Sequence, residues 1–191
     1  MLAPVLITPP TNRPVTLAEA KEALQVEHND DDALISGFVD AAVSHLDGFS
    51  GVLGQAMLTQ VWRQDFGCFA RRMRLPFGPA SAIVSVQYYD AANELQVLSP
   101  SVYCLLTDAR GPFVQLQHGQ SWPSHCTRDD AIAITFAVGR ADDALPPAIR
   151  SALLMLVGHF YENRGFTADG TKVALPGSVD ALLAPHRRVG V

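Results

Sequence analysis

The spacing of apolar residues changes twice along this chain, and that change restricts its possible folds more than any other feature. Helical spacing of three and four residues places five apolar side chains on one helix face near the N-terminus: Leu34, Ile35, Phe38, Ala42 and Leu46. A period of two, typical of a strand with one buried face, follows at Ile132, Ile134, Phe136 and Val138. Helical spacing returns after Leu145-Pro146-Pro147. The pattern predicts an α+β fold, a helical bundle of N- and C-terminal helices with an inserted antiparallel β-rich unit.

The N-terminal part of the bundle is predicted to span residues 1–55. It begins with a Pro-rich, extended arm over residues 1–14. Thr16 and Glu19 have the spacing of a capping box, so a short helix is expected to start there and to end near Val26. The acidic run 29–32 is expected to cap a second, longer helix, because carboxylates are favourable at the positive end of the helix dipole.

Residues 56–144 are predicted to form the β-rich insertion, with short strands between Pro and Gly breaks. Alternation is expected to place Val84, Val86 and Tyr88 on one face of a strand. The basic run 71–74 could contact phosphate, but basic residues also protect an edge strand from unwanted pairing, and we favour this second interpretation.

The C-terminal part, residues 145–191, is predicted to contain a third bundle helix over 148–164, a short fourth helix over 178–183 and a tail without a helix-forming continuation. The third helix is apolar around most of its circumference, so other helices or neighbouring subunits are expected to enclose it.

Charge and composition exclude several classes of protein. The net charge of −5 argues against tight DNA wrapping, because DNA-binding proteins gain affinity by neutralising phosphates. The three cysteines, an odd number without a CxxC pair, are interpreted as reduced thiols packed in the sheet. No apolar run is long enough for a membrane helix and no signal peptide is evident, so an intracellular, soluble protein is expected.

Catalytic, cofactor and metal sites are all predicted to be absent. His159 and Glu162 lie three residues apart on a helix, but a di-iron site needs a matching pair and further glutamates on other helices. Adjacent His125 and Cys126 would point in different directions. The glycine-rich segment 165–172 differs from a phosphate-binding loop, because its Thr and Lys are reversed and it follows a helix.

Several stretches together resemble the phage head–tail connector (adaptor) family, which also occurs in prophages and gene transfer agents. They are Pro14–Lys21, Asp30–Ile35, Leu58–Trp62, Leu145–Arg150, His159–Arg164 and Val179–Arg187. In order and spacing they cover nearly the whole chain and are similar to the subgroup with a β-rich insertion in a helical core. His186 stands where a Tyr is common in the family, and the loop at 166–172 is idiosyncratic.

The resemblance implies a structural assembly protein, not an enzyme, that forms a homo-oligomeric ring, a dodecamer in the virion, below the portal. Such a ring extends the DNA channel without sequence-specific DNA binding, presents a surface to a stopper or tail-completion protein, and occupies the virion neck after assembly in the host bacterial cytoplasm. The resemblance assigns portal docking to an extended tail that becomes ordered on binding, with residues Pro185, His186, Arg187, Arg188, Val189 and Val191. It assigns bundle and ring packing to Leu34, Phe38, Leu153, Leu156, Phe160 and Tyr161.

Two alternatives remain open at the level of sequence. One is another neck component, such as a stopper or tail-completion protein, although these are usually built on β-barrels and the helical ends argue against this. The other is a small hydrolase that uses His125, Cys126 and Asp129, which would have to converge in a pocket.

Overall fold

A computed structural model describes residues 2–163 and 177–188 of the chain. The described residues form two compact units: a sheet unit of residues 2–11 and 58–140, and a helical unit of residues 12–57, 141–163 and 177–188. The predicted α+β class is confirmed. The division predicted at 55/56 and 144/145 stays a prediction. None of the described helices is both long and apolar enough to span a bilayer.

The helical unit contains four α-helices: α1 (Leu17–Leu24), α2 (Asp32–Leu46), α3 (Pro147–Glu162) and α4 (Gly177–Leu183). The predicted capping box opens α1: the Thr16 hydroxyl accepts a hydrogen bond from the backbone N–H of Glu19, and the Glu19 carboxylate accepts one from the backbone N–H of Thr16. Arg150 on α3 donates to the same carboxylate at 2.5 Å. The Glu19 side chain therefore both caps the start of α1 and links α1 to α3.

The buried face of α2 differs from the predicted face. The fully buried side chains are Ile35, Val39, Ala42 and Leu46, at spacings of four, three and four residues. Leu34 is 39% exposed and Phe38 is half-buried, because each lies one residue, or about 100° around the helix, before a core position. The predicted stripe has the correct period, but Val39 takes the core position predicted for Phe38.

The acidic cap of α2 is also different from the prediction. Asp31 is the N-cap residue, but its side chain caps no helix N–H. Its carboxylate instead accepts a hydrogen bond of 2.6 Å from the Tyr161 hydroxyl of α3. Asp32 accepts from the Lys21 ammonium of α1 at 2.6 Å. Both carboxylates therefore join helices to one another.

The segment after α2 turns back on itself closely. Gly51 lies against the end of the helix, since a Cβ there would be 2.3 Å from the Asp47 carbonyl oxygen. The Asp47 carboxylate then accepts the backbone N–H of Met57 at 2.7 Å. Together these contacts close the loop between residues 47 and 57.

The sheet unit contains eight strands: β1 (Val5–Thr8), β2 (Gln60–Phe66), β3 (Met73–Arg74), β4 (Ala80–Tyr89), β5 (Leu95–Val97), β6 (Tyr103–Asp108), β7 (Gly111–Leu116) and β8 (Ile132–Val138). They form a five-stranded sheet of order β1-β2-β8-β4-β5 and a three-stranded sheet of order β3-β7-β6. Every pairing between these strands is antiparallel, as predicted.

The centre of the five-stranded sheet is β8, whose alternating burial confirms the predicted period of two. Phe136 on β8 lies opposite Trp62 on β2, and both rings contact Phe77, at centroid distances of 6.2 and 5.0 Å. Alternation fails on β4: a register shift between Ile83 and Ser85 leaves Val84 58% exposed, while Val86 is fully buried. The expected common face of Val84 and Val86 is therefore wrong, because a β-bulge inserts one residue between them.

Strand β1 is an addition to the predicted elements. Residues of the arm pair with β2, with Val5 opposite Arg63 and Leu6 opposite Trp62. The four-residue strand lies between prolines and is too short to show a period in the sequence. The arm thus belongs to the sheet unit.

Candidate assembly surfaces

The tail assigned to portal docking follows α4, whose Val179 and Leu183 are buried in the helical core. Residues Ala184–His186 form a single 3-10 turn, with Pro185 in its first turn, where a missing backbone N–H is tolerated. Pro185 is exposed, whereas His186, Arg187 and Arg188 are half-buried. Val189 and Val191 lie outside the described residues.

Residues 186–188 are held by hydrogen bonds within the helical unit. The Arg188 N–H donates to the Leu53 carbonyl at 2.9 Å, and the Gln55 amide donates to the His186 carbonyl. The Arg187 guanidinium pairs with Asp180 on α4 at 2.5 Å. The expectation of an extended tail is therefore wrong for residues 184–188, because the loop after α2 provides partners for their backbone groups.

The six residues assigned to bundle and ring packing divide into three groups. Leu153 and Leu156 are 1% and 0% exposed, so they belong to the bundle core of one chain. Phe38 and Phe160 are half-buried and form an aromatic pair with centroids 6.2 Å apart. Leu34 lies at the surface, and Tyr161 is half-buried with its hydroxyl bound to Asp31.

An apolar groove between α1 and α3 was not predicted as a separate feature. It is lined by Leu24 of α1 and by Leu154, Met155 and Gly158 of α3, together with the polar residues His159 and Glu162. Met155 is 37% exposed there. Helix α3 is thus buried on one face only, and the expected enclosure around its circumference is not provided by the described part of this chain.

Most of the described cations of the helical unit lie within ion-pair distance of a carboxylate. Arg13 contacts Asp40 at 2.7 Å, and Lys21 contacts Asp32 at 2.6 Å. The backbone N–H and the hydroxyl of Thr16, together with Arg150, lower the pKa of Glu19. These cations already have carboxylate partners within the chain, so binding to phosphate would have to displace a carboxylate.

The basic run in the sheet unit shows the same pairing. Arg74 on β3 donates two hydrogen bonds, of 2.9 and 2.7 Å, to Asp108 at the end of β6, and Arg72 lies 3.6 Å from the same carboxylate. These hydrogen bonds lower the pKa of Asp108, and Arg72 lies over the Phe113 ring at 4.9 Å. Because β3 is an edge strand, this geometry agrees with the preferred interpretation of edge protection.

The residues considered for chemistry have other contacts. The His125 ring packs edge-on against Phe69 at 5.3 Å, whereas the Cys126 thiol lies 3.7 Å from the Asn93 amide oxygen. Within residues 2–163 and 177–188, no group of three or more His, Cys, Asp or Glu side chains could hold a metal ion. Cys68 is exposed, so the expectation that every cysteine packs in the sheet is wrong for it. The segment 165–172 lies outside the described residues.

Similarity to known proteins is found in a family model and in solved structures. Residues 14–93 match the model described as phage gp6-like head-tail connector protein. A chain in the neck of an empty gene transfer agent particle, computed with C6 symmetry, superimposes with a TM-score of 0.78 at 22% identity. A chain of the native gene transfer agent virion gives the same values, and a chain of the native neck computed with C12 symmetry gives 0.76 at 21% identity. Each alignment covers 100% of this chain and 97% of the other. No curated protein matches.

The matched residues comprise α1, α2 and the strands β2–β4, and they include the capping box and the acidic start of α2 on which the resemblance was based. The solved structures show that the fold is shared over the full length of the chain, including the β-rich unit and the C-terminal helices. The predicted resemblance to the head–tail connector family is confirmed: residues 14–93 match its family model, and the fold is that of the gene transfer agent neck chains.

Proposed function

We propose that this protein is a ring-forming connector that joins a DNA-filled head to a tail, in a phage, prophage or gene transfer agent. The observation that carries the proposal is the family match over residues 14–93 together with a full-length fold similarity to chains of gene transfer agent necks. Those necks were computed with C6 and C12 symmetry, which supports a ring of identical subunits, a dodecamer. The role is structural, without catalysis or cofactor.

The ring would be held by the helical unit. Leu34 and the groove lined by Leu24 and Met155 present apolar surface that the described residues of one chain leave partly exposed. Burial of such surface by a neighbouring subunit is favourable at about 25 cal/mol per Å². Phe38 and Phe160 lie half-buried and could extend the contact. Leu153 and Leu156 support this surface from inside the bundle.

The C-terminal segment from Pro185 to Val191 would dock on the portal. In the free chain, residues 186–188 bind Leu53, Gln55 and Asp180. Portal binding therefore has to compete with these contacts, and simultaneous docking of many tails around a ring compensates through avidity. The opposite side of the ring would receive a stopper or tail-completion protein.

DNA would pass through the ring without sequence-specific binding. The net charge of −5 disfavours adhesion of the phosphate backbone, and the arginines described above are paired with carboxylates. The protein would be assembled in the host bacterial cytoplasm and would then reside in the virion neck.

The experiment is a mass measurement in solution of the purified chain, alone and mixed with its cognate portal. We expect a ring or a portal complex, and we expect the complex to be lost when residues 185–191 are deleted. A chain that stays monomeric and does not bind the portal would overturn the proposal and favour a stopper or an unrelated α+β protein.

Two matched variants distinguish a direct contact of Arg187 with the portal from an indirect effect of the Arg187–Asp180 ion pair. Arg187→Ala and Asp180→Ala remove the same 2.5 Å ion pair, but only the first changes the tail itself. If Arg187 contacts the portal, Arg187→Ala weakens the complex and Asp180→Ala does not. Equal effects would show that the ion pair acts only within the chain.

A further inference from the structure

The N-terminal strand β1 forms one edge of the five-stranded sheet. It is fixed on its inner side by pairing with β2, and the arm continues along β2 to Leu2, whose N–H donates to the Asp65 carbonyl at 3.2 Å. The Gln64 amide donates to the Leu2 carbonyl at 2.6 Å. No strand among the described residues pairs with the outer side of β1.

This edge is apolar and carries no charge. Four large apolar side chains of the arm are 42–50% exposed: Leu2, Val5, Leu6 and Ile7. No charged side chain precedes Arg13 in the sequence. Charged side chains protect many exposed edges, as Arg72 and Arg74 do beside β3, and β1 lacks this charge protection, so its edge is suited to pair with another strand although it is short and flanked by prolines.

The opposite edge of the same sheet has matching properties. Within the described part of the chain, strand β5 pairs with β4 alone, and its Leu95 and Val97 are 53% and 69% exposed. No charged side chain occurs from Leu95 until Asp108. Val5 lies opposite Arg63, Arg63 opposite Thr135, and Thr135 opposite Ser85. Gln87 follows Ser85 by two residues and lies opposite Val97, so Val5 and Val97 are on the same face of the sheet.

We propose that the β1 edge of one copy docks against the β5 edge of a second copy, so that the five-stranded sheets of neighbouring subunits continue one another. This inference rests on the proposed ring-forming function. Neither strand carries a charged side chain, and both place apolar side chains on the same face. The two edges lie on opposite sides of one sheet, so the β1 edge of each copy can pair with the β5 edge of the next copy. Such a head-to-tail contact is heterologous, as a closed ring requires.

The direction of the strands is consistent with this arrangement. Five strands in purely antiparallel order make β1 and β5 run in the same direction. Head-to-tail copies would therefore bring β1 alongside β5 as a parallel pair. Pairing of β1 with β1 of a partner would instead end at a dimer, since both equivalent edges would be consumed.

The test introduces a lysine at each edge and at one matched control site. Ile7→Lys and Val97→Lys each bury a charge in the proposed contact, and we expect the concentration needed for half-maximal ring assembly to rise by about tenfold or more. Leu106→Lys is the control, because Leu106 is 42% exposed on β6, which belongs to the three-stranded sheet and not to the sheet with the proposed contact. Rings that form equally well in all three variants overturn the edge contact and leave the connector function intact. A wild-type chain that forms no ring, alone or with portal, overturns the connector function and this contact with it.

Disulfide trapping gives an independent readout of which edges meet. In a background with Cys68, Cys104 and Cys126 replaced by serine, the pair Val5→Cys and Val97→Cys should yield a ladder of covalent oligomers under oxidation. Val5→Cys alone should yield none, and Val5→Cys with Leu106→Cys, which lies on the three-stranded sheet, serves as the control pair. Dimers from Val5→Cys alone would show β1–β1 pairing and would overturn the head-to-tail contact. A ladder that appears equally in the control pair would do the same.

Discussion

Truncation of Leu156 to alanine should destabilise the helical unit strongly, whereas truncation of its neighbour Met155 should not. Leu156 is fully buried in the core formed by α2, α3 and α4, and Met155 is 37% exposed in the groove beside α1. The two positions are consecutive on the same helix, so helix propensity and sequence context are closely matched. They differ mainly in burial, because the bundle core contains the Leu156 side chain but not the Met155 side chain.

The magnitude follows from burial. A buried Leu→Ala substitution costs about 2–5 kcal/mol, from the lost transfer free energy and the cavity that remains. Met155→Ala removes a side chain that is already partly hydrated, and surface substitutions of this kind usually cost under about 1 kcal/mol. With a urea m-value of about 3 kcal/mol per M for a chain of this size, Leu156→Ala should lower the unfolding midpoint by about 1 M.

The assay is urea unfolding followed by far-UV circular dichroism, with ring assembly measured on the same samples. We expect Leu156→Ala to lower the midpoint, and Met155→Ala to keep the midpoint while weakening assembly. A midpoint shift of less than about 0.3 M for Leu156→Ala would refute the assignment of this residue to the bundle core. Normal assembly of Met155→Ala would refute a ring contact at the groove.

Three further predictions concern local features. Gly51→Ala should destabilise the chain by about 1–3 kcal/mol, because the new Cβ would lie 2.3 Å from the Asp47 carbonyl oxygen. Gly37→Ala should stabilise it by about 0.5–1 kcal/mol, because no atom lies within 4 Å of a Cβ at that helical position. Thermal unfolding compares the two variants. The pKa of Asp108 is lowered in the folded state, so its pairing with Arg74 contributes stability above the ordinary pKa of an aspartate, and this contribution is lost as the pH falls through the folded pKa. Asp108→Asn should therefore flatten part of the acid limb of a plot of unfolding midpoint against pH, and an unchanged limb would contradict the assignment. Thr16→Ala should cost about 1 kcal/mol by removing the capping box of α1, measured by chemical denaturation, with Thr11→Ala as the control outside any cap.

The sequence by itself determined the elements whose signals are local. The alternation at Ile132, Ile134, Phe136 and Val138 identified the central strand, and the spacing of Thr16 and Glu19 identified the start of α1. Both signals are complete within a few residues, since a period or a cap depends only on near neighbours. The same holds for the family resemblance, because its motifs are short and their order along the chain is part of the sequence.

The tertiary structure decided which of several equivalent local choices is used. The period on α2 allows a core face through Phe38 or through Val39, and packing against α1 and α3 selects Val39. A bulge turns the Val84 side chain outward, and this bulge is defined only by the register of β4 against β8. The arm becomes a strand because β2 provides its partner, and residues 186–188 are held because the loop at residues 53–55 provides carbonyl and amide groups. In each case the partner is remote in sequence, so the free energy that fixes the local conformation exists only once the chain has folded.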